Sequence, residues 1–377
     1  MNGKSKLSDV DSTRLKAALK IVVDVKRPTA IGRHQDKAQW LIPNNRTPSL
    51  TMNDYLIGII IVAAVCVAFV LCRFAMPIAK KFNLLDVPGD RKRHKHVTPL
   101  MGGVVILGAV VPAMITLIVF TSSPNHVFRL SIWTIVAVGM TIIGILDDRH
   151  SLSPKLRLIA SFGLFGIAAY VEPIFNVRVL DFEYPSFTLG LGTRGIAIAF
   201  TILCCVGLVN AINMADGKNG LVIGLCIYWL VMLAIRAPNF FFVFISLLIL
   251  VLLVLLLFNL RGQLFLGDGG AYGLASIIGV LTIAVYNSPG DHATRAMAAE
   301  EVALLFAVPV LDSFRLTFKR MKNGQSPMAA DRDHLHHHLQ ERFGWPNGLY
   351  AYWLMSASPL ALFKLCSSIF IFWKPVV

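Results

Sequence analysis

The chain has 377 residues, of which 56% are apolar and only 15% charged, with a mean hydropathy of +0.67 and a formal net charge of +14. Soluble proteins carry about a quarter charged residues, so this composition excludes a soluble globular protein, a disordered chain and a disulfide scaffold. It predicts an all-α, polytopic integral membrane protein. In so apolar a chain, the positive charge is more typical of basic loops on the cytoplasmic side of a membrane than of nucleic-acid binding.

The first 51 residues differ from the rest. Residues 1–51 contain ten Lys or Arg and four Asp, with no long apolar run and no signal-peptide pattern. We expect a basic N-terminal extension that is either disordered or precedes the true start at Met52. A regulatory tail is the less favoured interpretation. The polytopic domain is then predicted to cover residues 52–377.

Apolar stretches of about 17–25 residues predict helices that cross the hydrocarbon core. About ten such spans are predicted, and Lys and Arg collect in alternate loops, after the first, third, fifth, seventh and ninth. The positive-inside rule places those loops in the cytoplasm. The predicted spans are residues 55–76, 101–120, 130–146, 156–172, 195–210, 221–236, 239–259, 270–286, 296–317 and 347–373.

Five polar segments interrupt the apolar pattern, and all lie on the predicted cytoplasmic side. They read DVPGDRKRHKHVTPLMGG (86–103), LDDRHSLSPKLR (146–157), NAINMADGKNGL (210–221), NLRGQLFLGDGGAYG (259–273) and SPMAADRDHLHHHLQERFG (326–344). The orientation was derived from Lys and Arg alone. The clustering of the other polar residues on one side is therefore an independent indication of a functional site.

Three aspartates in these segments suit phosphate chemistry with a hard cation. Asp147 and Asp148 end a predicted helix, where the helix dipole disfavours anions, so a bound Mg²⁺ would stabilise them. A solvated helix end is the alternative. Asp268 stands in a glycine-flanked turn that opens the next span, where backbone N–H groups can approach a phosphate. A simple tight turn is the alternative there.

The histidine run has three interpretations, and one aromatic residue has two. His334, His336 and His337 could form a zinc site, hydrogen-bond phosphate oxygens or lie in a solvated loop. No cysteine lies nearby, which favours phosphate contact. Phe265 could stack on a nucleobase or pack at the membrane interface.

Together these segments resemble the polyprenyl-phosphate N-acetylhexosamine-1-phosphate transferases of glycosyltransferase family 4. The resemblance runs in order from about Met52 to His338 and includes the DD pair, NMADG, FLGDGG and DRDHLHHH. The last motif is similar to that of the branch that uses UDP-GlcNAc. Two positions depart from the family pattern: Ser151 replaces the last Asp of DDxxD, and Asn219 replaces a second Asp.

The resemblance implies transfer of GlcNAc-1-phosphate from UDP-GlcNAc to undecaprenyl phosphate, with release of UMP. This would be the first lipid-linked step of cell-envelope polysaccharide synthesis (O antigen or related). It implies Mg²⁺ as cofactor, with Mn²⁺ as substitute, and an active site on the cytoplasmic face of a bacterial inner membrane. The expected partners are a UDP-N-acetylhexosamine, undecaprenyl phosphate and membrane lipid, without nucleic acid. A homodimer is compatible with this assignment.

The resemblance also assigns roles residue by residue. Asp147, Asp148 and Asp268 would be catalytic, with Asp148 and Asp268 at the metal. The remaining assigned residues would bind substrate: Asn213, Asp216, Asn219, Phe265 (on uracil), Lys155, His334, His336 and His337.

Other functions stay open at this point. The same reaction with another UDP-N-acetylhexosamine is the nearest alternative, because Asn219 lacks the charge of the usual Asp. A secondary transporter is a different class, but its ionisable residues would lie near the bilayer midplane. A structural membrane protein would not need these polar motifs in this order. Direct attack on the β-phosphorus and a covalent aspartyl intermediate are both compatible with the sequence.

Overall fold

The computed structural model describes residues 54–88, 96–121, 124–184, 186–288, 295–327 and 333–372. The predicted N-terminal extension (1–51), Met52 and the basic run 91–95 lie outside the described residues.

Most of the described chain is α-helical, because long apolar segments satisfy their backbone hydrogen bonds within the helix. A π-helical stretch, Ile106–Val110, joins the helices Gly102–Val105 and Val111–Val119. The helices are α1 (Asp54–Arg73), α2 (Ala75–Phe82), α3 (Gly102–Val105), α4 (Val111–Val119), α5 (Pro124–His150), α6 (Pro154–Val171), α7 (Arg194–Ala215), α8 (Leu221–Arg236), α9 (Asn239–Leu260), α10 (Gly267–Tyr286), α11 (Ala299–Leu305), α12 (Ala307–Lys322), α13 (Leu335–Phe343) and α14 (Asn347–Phe372).

Strands are few and short within the described ranges. β1 (Leu85–Asp86) pairs antiparallel with β2 (Thr98–Pro99). β3 (Val179–Phe182) and β4 (Phe187–Gly190) form an antiparallel hairpin in which Val179 faces Gly190 and Phe182 faces Phe187.

Seven of the described helical segments are long and apolar enough to cross a membrane. They are Tyr55–Arg73, Gly102–Val119, His126–His150, Pro154–Val171, Arg194–Ala215, Phe241–Leu260 and Gly267–Tyr286. Leu221–Arg236 is a shorter apolar helix. These helices confirm the prediction of an all-α, polytopic membrane protein.

The predicted ninth span, residues 296–317, is wrong as a single membrane-crossing helix. The helix breaks at Phe306 into α11 and α12. α12 is amphipathic: four large apolar side chains are 60–70% exposed, while Asp312 and Arg315 lie on another side. The mean hydropathy of the segment concealed this two-sided pattern, because the apolar residues recur at helical spacing. The four exposed side chains, called the apolar stripe below, are Leu311, Phe314, Phe318 and Met321.

α10 is the central helix, and every residue from Gly269 to Tyr286 is buried. Glycines let its N-terminal end touch other backbones. A Cβ on Gly144 of α5 would lie 2.3 Å from the carbonyl oxygen of Asp268, and one on Gly102 would lie 2.3 Å from that of Leu266. The close contact places the C-terminal end of α5 beside the N-terminal end of α10.

The helical bundle has two ends, the site end and the opposite end. The site end contains the C-terminal end of α5 and the N-terminal ends of α6 and α10. α6 has 18 residues and is therefore about 27 Å long, which separates the two ends. The opposite end contains Glu172, which follows α6, and the β3–β4 hairpin, whose Asp181 N–H donates to the Tyr286 hydroxyl at the far end of α10.

Candidate active site

Asp148 caps the central helix from a neighbouring helix. Its two carboxylate oxygens accept the backbone N–H groups of Asp268 and Gly269, each at 2.9 Å. These N–H groups lie in the first turn of α10, where an α-helix leaves donors without partners and attracts anions. Gly267 has φ +71°, and a Cβ there would lie 2.8 Å from Asp148 Oδ2. The glycines of the FLGDGG motif therefore make room for this cap.

Asp147 is buried and bound by two side chains that the sequence analysis did not assign to the site. Arg157 Nη1 donates to Asp147 Oδ2 at 2.5 Å, and the Tyr272 hydroxyl lies 3.4 Å from the same oxygen. Arg157 Nη1 is also 3.3 Å from the Tyr272 hydroxyl. The adjacent aspartates thus have different environments: Asp147 is paired with a guanidinium, and Asp148 with backbone N–H groups.

Asp268 completes a cluster of three carboxylates. Asn213 Nδ2 donates to Asp268 Oδ1 at 2.6 Å, and Asp268 interacts electrostatically with both Asp147 and Asp148. Among the described residues, the cluster has three carboxylates and one guanidinium, that of Arg157. Like charges at this spacing repel one another in a poorly solvated environment. The site therefore favours a bound cation or proton.

The loop of residues 216–220 follows α7 and lies beside the carboxylate cluster. Burial and, to a smaller extent, the nearby Asp148 carboxylate together raise the pKa of Asp216 to about 7. The backbone N–H of Gly220 donates to Asn259 Oδ1 at 2.6 Å. A Cβ on Gly262 would lie 3.7 Å from Asn219 Nδ2, so Asn219 faces the turn after α9.

Phe265 lies in an extended segment just before α10. Its backbone N–H donates to Pro99 O at 2.9 Å, and its carbonyl accepts from Met101 N at 3.0 Å, so Leu100 and Phe265 form a parallel β-bridge. Its side chain is half-buried. The bridge fixes the backbone of Phe265 three residues before Asp268, and its stacking on a base stays a prediction.

The histidine segment is attached to α12 through Asp312. The Asp312 carboxylate lies 3.3 Å from His334 Nδ1 and accepts the Leu335 N–H at 3.2 Å, so it caps α13. Arg315 Nη2 donates to the same carboxylate at 2.9 Å. Burial acts to raise the pKa of Asp312, but hydrogen bonds from His334, Arg315 and the Leu335 N–H outweigh it and lower that pKa.

Asp333 holds the same segment from its other side. It binds Lys319 at 2.7 Å and Arg315 at 3.2 Å through Oδ2, and His338 at 2.7 Å through Oδ1. Hydrogen bonding to the Lys319 ammonium holds the pKa of Asp333 below its usual range. The histidine segment is thus fixed to α12 by two aspartates.

His336 is 1% exposed, and both of its ring nitrogens lack a hydrogen-bond partner within the described part of the chain. Its ring lies against the 216–220 loop, where a Cβ on Gly217 would be 2.3 Å from His336 Nε2. Burial lowers the pKa of His336 to about 3, so the ring is neutral at pH 7, and the charges of His337 and His334 contribute. The His337 ring is 4.2 Å away.

The predicted residues all lie at one end of the bundle, but only some of them are in direct contact with one another. Asp147, Asp148, Asp268 and Asn213 are in direct contact or adjacent. Lys155 lies on the first turn of α6 and is exposed. The remaining predicted residues surround the cluster on two loops and on the histidine segment: Asp216, Asn219, Phe265, His334, His336 and His337.

Four residues at the site were assigned no role from sequence. Tyr272 could have been found, because it lies four residues after Asp268 on the same helix face. Arg157 lies in the polar segment 146–157 but has no assigned role there, and Asp312 lies outside all five polar segments. Asn259 contacts Gly220 through the tertiary structure, and its other partner, Leu264, is five residues along the chain.

The carboxylates of the cluster supply part of the coordination that a divalent ion requires. Within the described ranges, no three His, Cys, Asp or Glu side chains converge as a ready metal cage. Mg²⁺ usually takes one or two carboxylates and completes its shell with waters and substrate phosphates. The oxygens of Asp148 and Asp268, in a cluster with excess negative charge, fit that mode.

Fold and site define a class: a membrane-embedded helical protein whose carboxylate cluster lies at one end of the bundle, beside an amphipathic helix. Residues 130–286 match the family model described as glycosyl transferase family 4. The chain belongs to this family, as the motifs predicted.

Three relatives illustrate the similarity. The chain is 30% identical over 297 residues to the undecaprenyl-phosphate alpha-N-acetylglucosaminyl 1-phosphate transferase of Yersinia pestis, covering 76% of each chain. It is 29% identical to the probable undecaprenyl-phosphate N-acetylglucosaminyl 1-phosphate transferase of Bacillus subtilis, covering 74% of this chain and 77% of that one. It is 27% identical to the Escherichia coli K12 undecaprenyl-phosphate alpha-N-acetylglucosaminyl 1-phosphate transferase, covering 70% and 71%.

Proposed function

We propose that this protein transfers GlcNAc-1-phosphate from UDP-GlcNAc to undecaprenyl phosphate, releasing UMP and forming undecaprenyl-diphosphate-GlcNAc. The observation that carries the proposal is the convergence of Asp147, Asp148, Asp268 and Asn213 at the junction of α5, α7 and α10. The names of the relatives support the lipid acceptor and the sugar. The product would begin a cell-envelope polysaccharide such as O antigen.

The charge of the cluster matches the reaction. Both substrates are anionic, and phosphoryl transfer depends mainly on positioning and on neutralising charge. Asp148 and Asp268 would hold Mg²⁺, with Mn²⁺ as substitute, and the ion would offset the charge that develops on the pyrophosphate.

Asp147 is proposed to orient the acceptor. A phosphate monoester has its second pKa near 6, so undecaprenyl phosphate is mostly ionised at pH 7 and needs little help from a base. An acceptor oxygen forms the new bond to the β-phosphorus, while the bond from that phosphorus to the UMP oxygen breaks. Arg157, at 2.5 Å from Asp147, is placed to contact the acceptor phosphate.

The lipid tail has a surface to follow. The apolar stripe of α12 has spacings of three, four and three residues, so it forms one helix face, and its members are 60–70% exposed. Arg315 and Lys319 lie within the same stretch of helix. A basic amphipathic helix of this kind lies at a membrane surface. We propose that the polyprenyl chain runs along the stripe and its phosphate points toward Asp147.

The nucleotide sugar is assigned to the two loops and the histidine segment. Asn213, Asp216 and Asn219 would line its pocket, and Phe265 would stack on uracil. Lys155, His334 and His337 would contact phosphates or the sugar. His336 is buried behind Gly217, so its contribution would be made through that packing.

The site end is proposed to face the cytoplasm of a bacterial inner membrane. Basic residues collect at this end, as Arg149, Lys155, Lys218 and Arg261 show. UDP-sugars are cytoplasmic metabolites in this assignment, so the donor would be available on that side.

Purified protein with undecaprenyl phosphate and Mg²⁺ would test the proposal. UDP-GlcNAc, UDP-GalNAc and UDP-MurNAc-pentapeptide are offered separately, and UMP release is measured. We expect lipid-dependent UMP from UDP-GlcNAc that disappears in Asp148→Asn and persists in Asp181→Asn, a matched change in the β3–β4 hairpin. Preference for another donor would assign a different sugar specificity to the same reaction, with Asn219 as the first residue to test. UMP from none of the three would contradict the proposal.

The order of bond changes needs its own measurement. Direct transfer predicts that enzyme and UDP-GlcNAc alone leave the protein mass unchanged. A mass increase equal to a phosphosugar would instead demonstrate a covalent aspartyl intermediate.

A further inference from the structure

Two loops at the site end are joined through one buried side-chain amide. Asn259, in the last turn of α9, is 4% exposed. Its Oδ1 accepts the Gly220 N–H at 2.6 Å, and its Nδ2 donates to the Leu264 carbonyl at 3.0 Å. Both ends of the amide are therefore used, one on each loop.

The two loops carry the residues proposed to bind the nucleotide sugar. The first, 216–220, contains Asp216 and Asn219. The second, 261–266, contains Phe265 and leads into α10. Irregular loops lack the regular backbone pairing of helices and sheets, so side-chain hydrogen bonds supply the missing partners.

The turns themselves are tight. Gly220 has φ +84° and Gly262 has φ +68°, conformations that favour glycine. Asn219 lies against Gly262, so the loops also touch through that pair. Asn259 lies behind this contact and bonds to the backbone on both sides of it.

We propose that Asn259 is a positioning residue for the donor. It holds the two loops in a single arrangement, so that the pocket for a uridine diphosphate sugar is formed before the substrate binds. The inference rests on the proposed function for the identity of the donor. Asn259 acts through the loops and does not itself need to touch substrate.

Replacing Asn259 with the isosteric Asp breaks one of its two hydrogen bonds and keeps the other. Asp at position 259 keeps an oxygen to accept the Gly220 N–H, but it places a second oxygen against the Leu264 carbonyl. The second loop then loses its hydrogen bond while the shape of the side chain is retained. A binding-competent arrangement that is populated a tenth of the time raises the apparent dissociation constant about tenfold.

The matched control lies at the opposite end. Asn176 is 2% exposed, and its Nδ2 donates to the Ala169 carbonyl at 2.8 Å. Asn176→Asp therefore removes a comparable buried donor far from the loops. Both variants should lose thermal stability, and only one should alter donor binding.

The kinetic test compares wild type, Asn259→Asp and Asn176→Asp. We expect Asn259→Asp to raise KM for UDP-GlcNAc about tenfold, with kcat and the KM for undecaprenyl phosphate changed less than about threefold. Asn176→Asp should leave both KM values unchanged. An unchanged donor KM in Asn259→Asp, or an equal rise in both variants, would overturn the inference.

Amide hydrogen exchange tests the same link without turnover. Peptides covering 216–220 and 261–266 should exchange slowly in wild type and faster in Asn259→Asp, and should be unaffected in Asn176→Asp. Fast exchange at these peptides in wild type would overturn the inference even if Asn259→Asp fails to fold. A wild type that exchanges slowly but turns over no UDP-sugar would contradict the proposed function and leave the loop link supported.

Discussion

The two ends of the helical bundle each bury carboxylates, but they balance the charge differently. At the opposite end, Glu301 is 2% exposed and binds both Arg236 (3.0 Å) and Lys364. It also accepts the Ala298 N–H at 2.9 Å, which begins α11. In the aspartate cluster at the site end, the described residues place one guanidinium, that of Arg157, against three carboxylates.

This difference separates an ion cluster that stabilises the fold from a cluster that is proposed to act in catalysis. The Glu301 cluster joins α8, α11 and α14, and Glu183, 3.9 Å from Lys364, balances its second cation. Among the described residues, the aspartate cluster has an excess of negative charge that a bound cation or a proton would offset. The comparison predicts that mutations at the two ends affect different properties, activity at one end and stability at the other.

The largest effect is expected at the site end. Asp268→Asn should lower kcat about a thousandfold, or about 4 kcal/mol, because it removes a carboxylate that is proposed to hold the metal ion. Its Tm should stay equal or rise, since one of three repelling charges is gone. UMP release and thermal unfolding measure the two properties. A large fall in Tm together with the loss of activity would show that Asp268 is mainly structural.

The complementary change at the opposite end is Glu301→Gln. It leaves Arg236 and Lys364 beside a neutral amide and should cost about 3 kcal/mol of stability, as breaking a buried ion pair does. We expect kcat of the folded fraction to remain within about twofold of wild type, measured at a temperature well below Tm. A kcat that falls in proportion to the stability would mean that the two ends are coupled.

The stability of the protein as a function of pH gives a further test at the site end, because it depends on His336. Its pKa of about 3 in the folded protein lies below the usual 6.5, so the unfolded state binds more protons between these values. The stability from the neutral ring is present above pH 6.5 and is lost as pH falls, by about 2 kcal/mol between pH 7 and pH 5. Thermal unfolding at both values should show a smaller difference in His336→Gln. Identical differences in the two proteins would exclude His336 as the titrating group.

The smallest effect is expected at Asp312. Asp312→Asn keeps an oxygen for the Leu335 N–H but loses the charge that binds His334 and Arg315. We expect kcat/KM for UDP-GlcNAc to fall about tenfold, as for loss of one charge-assisted hydrogen bond. Asp312→Glu should restore part of it. Equal activity in wild type and Asp312→Asn would show that His334 needs no fixed orientation.

Sequence patterns predicted the class of fold, and they singled out the central carboxylates, whose catalytic roles stay a prediction. Asp147, Asp148 and Asp268 stand in motifs with unusual local chemistry, and the structure places them together. Arg157 and Asn259 were assigned no role because their partners are more than five residues away in the chain or depend on how helices pack. A related limit applies to residues 296–317, because a mean hydropathy does not show on which side of a helix the apolar residues lie.

The exposed stripe of α12 implies that the acceptor concentration relevant to the enzyme is the one within the membrane. A lipid that reaches the site along Leu311, Phe314, Phe318 and Met321 diffuses in two dimensions. Its effective concentration is then a mole fraction in the bilayer or micelle rather than a molarity in solution. Added detergent would slow the enzyme by surface dilution, even when every soluble component is held constant.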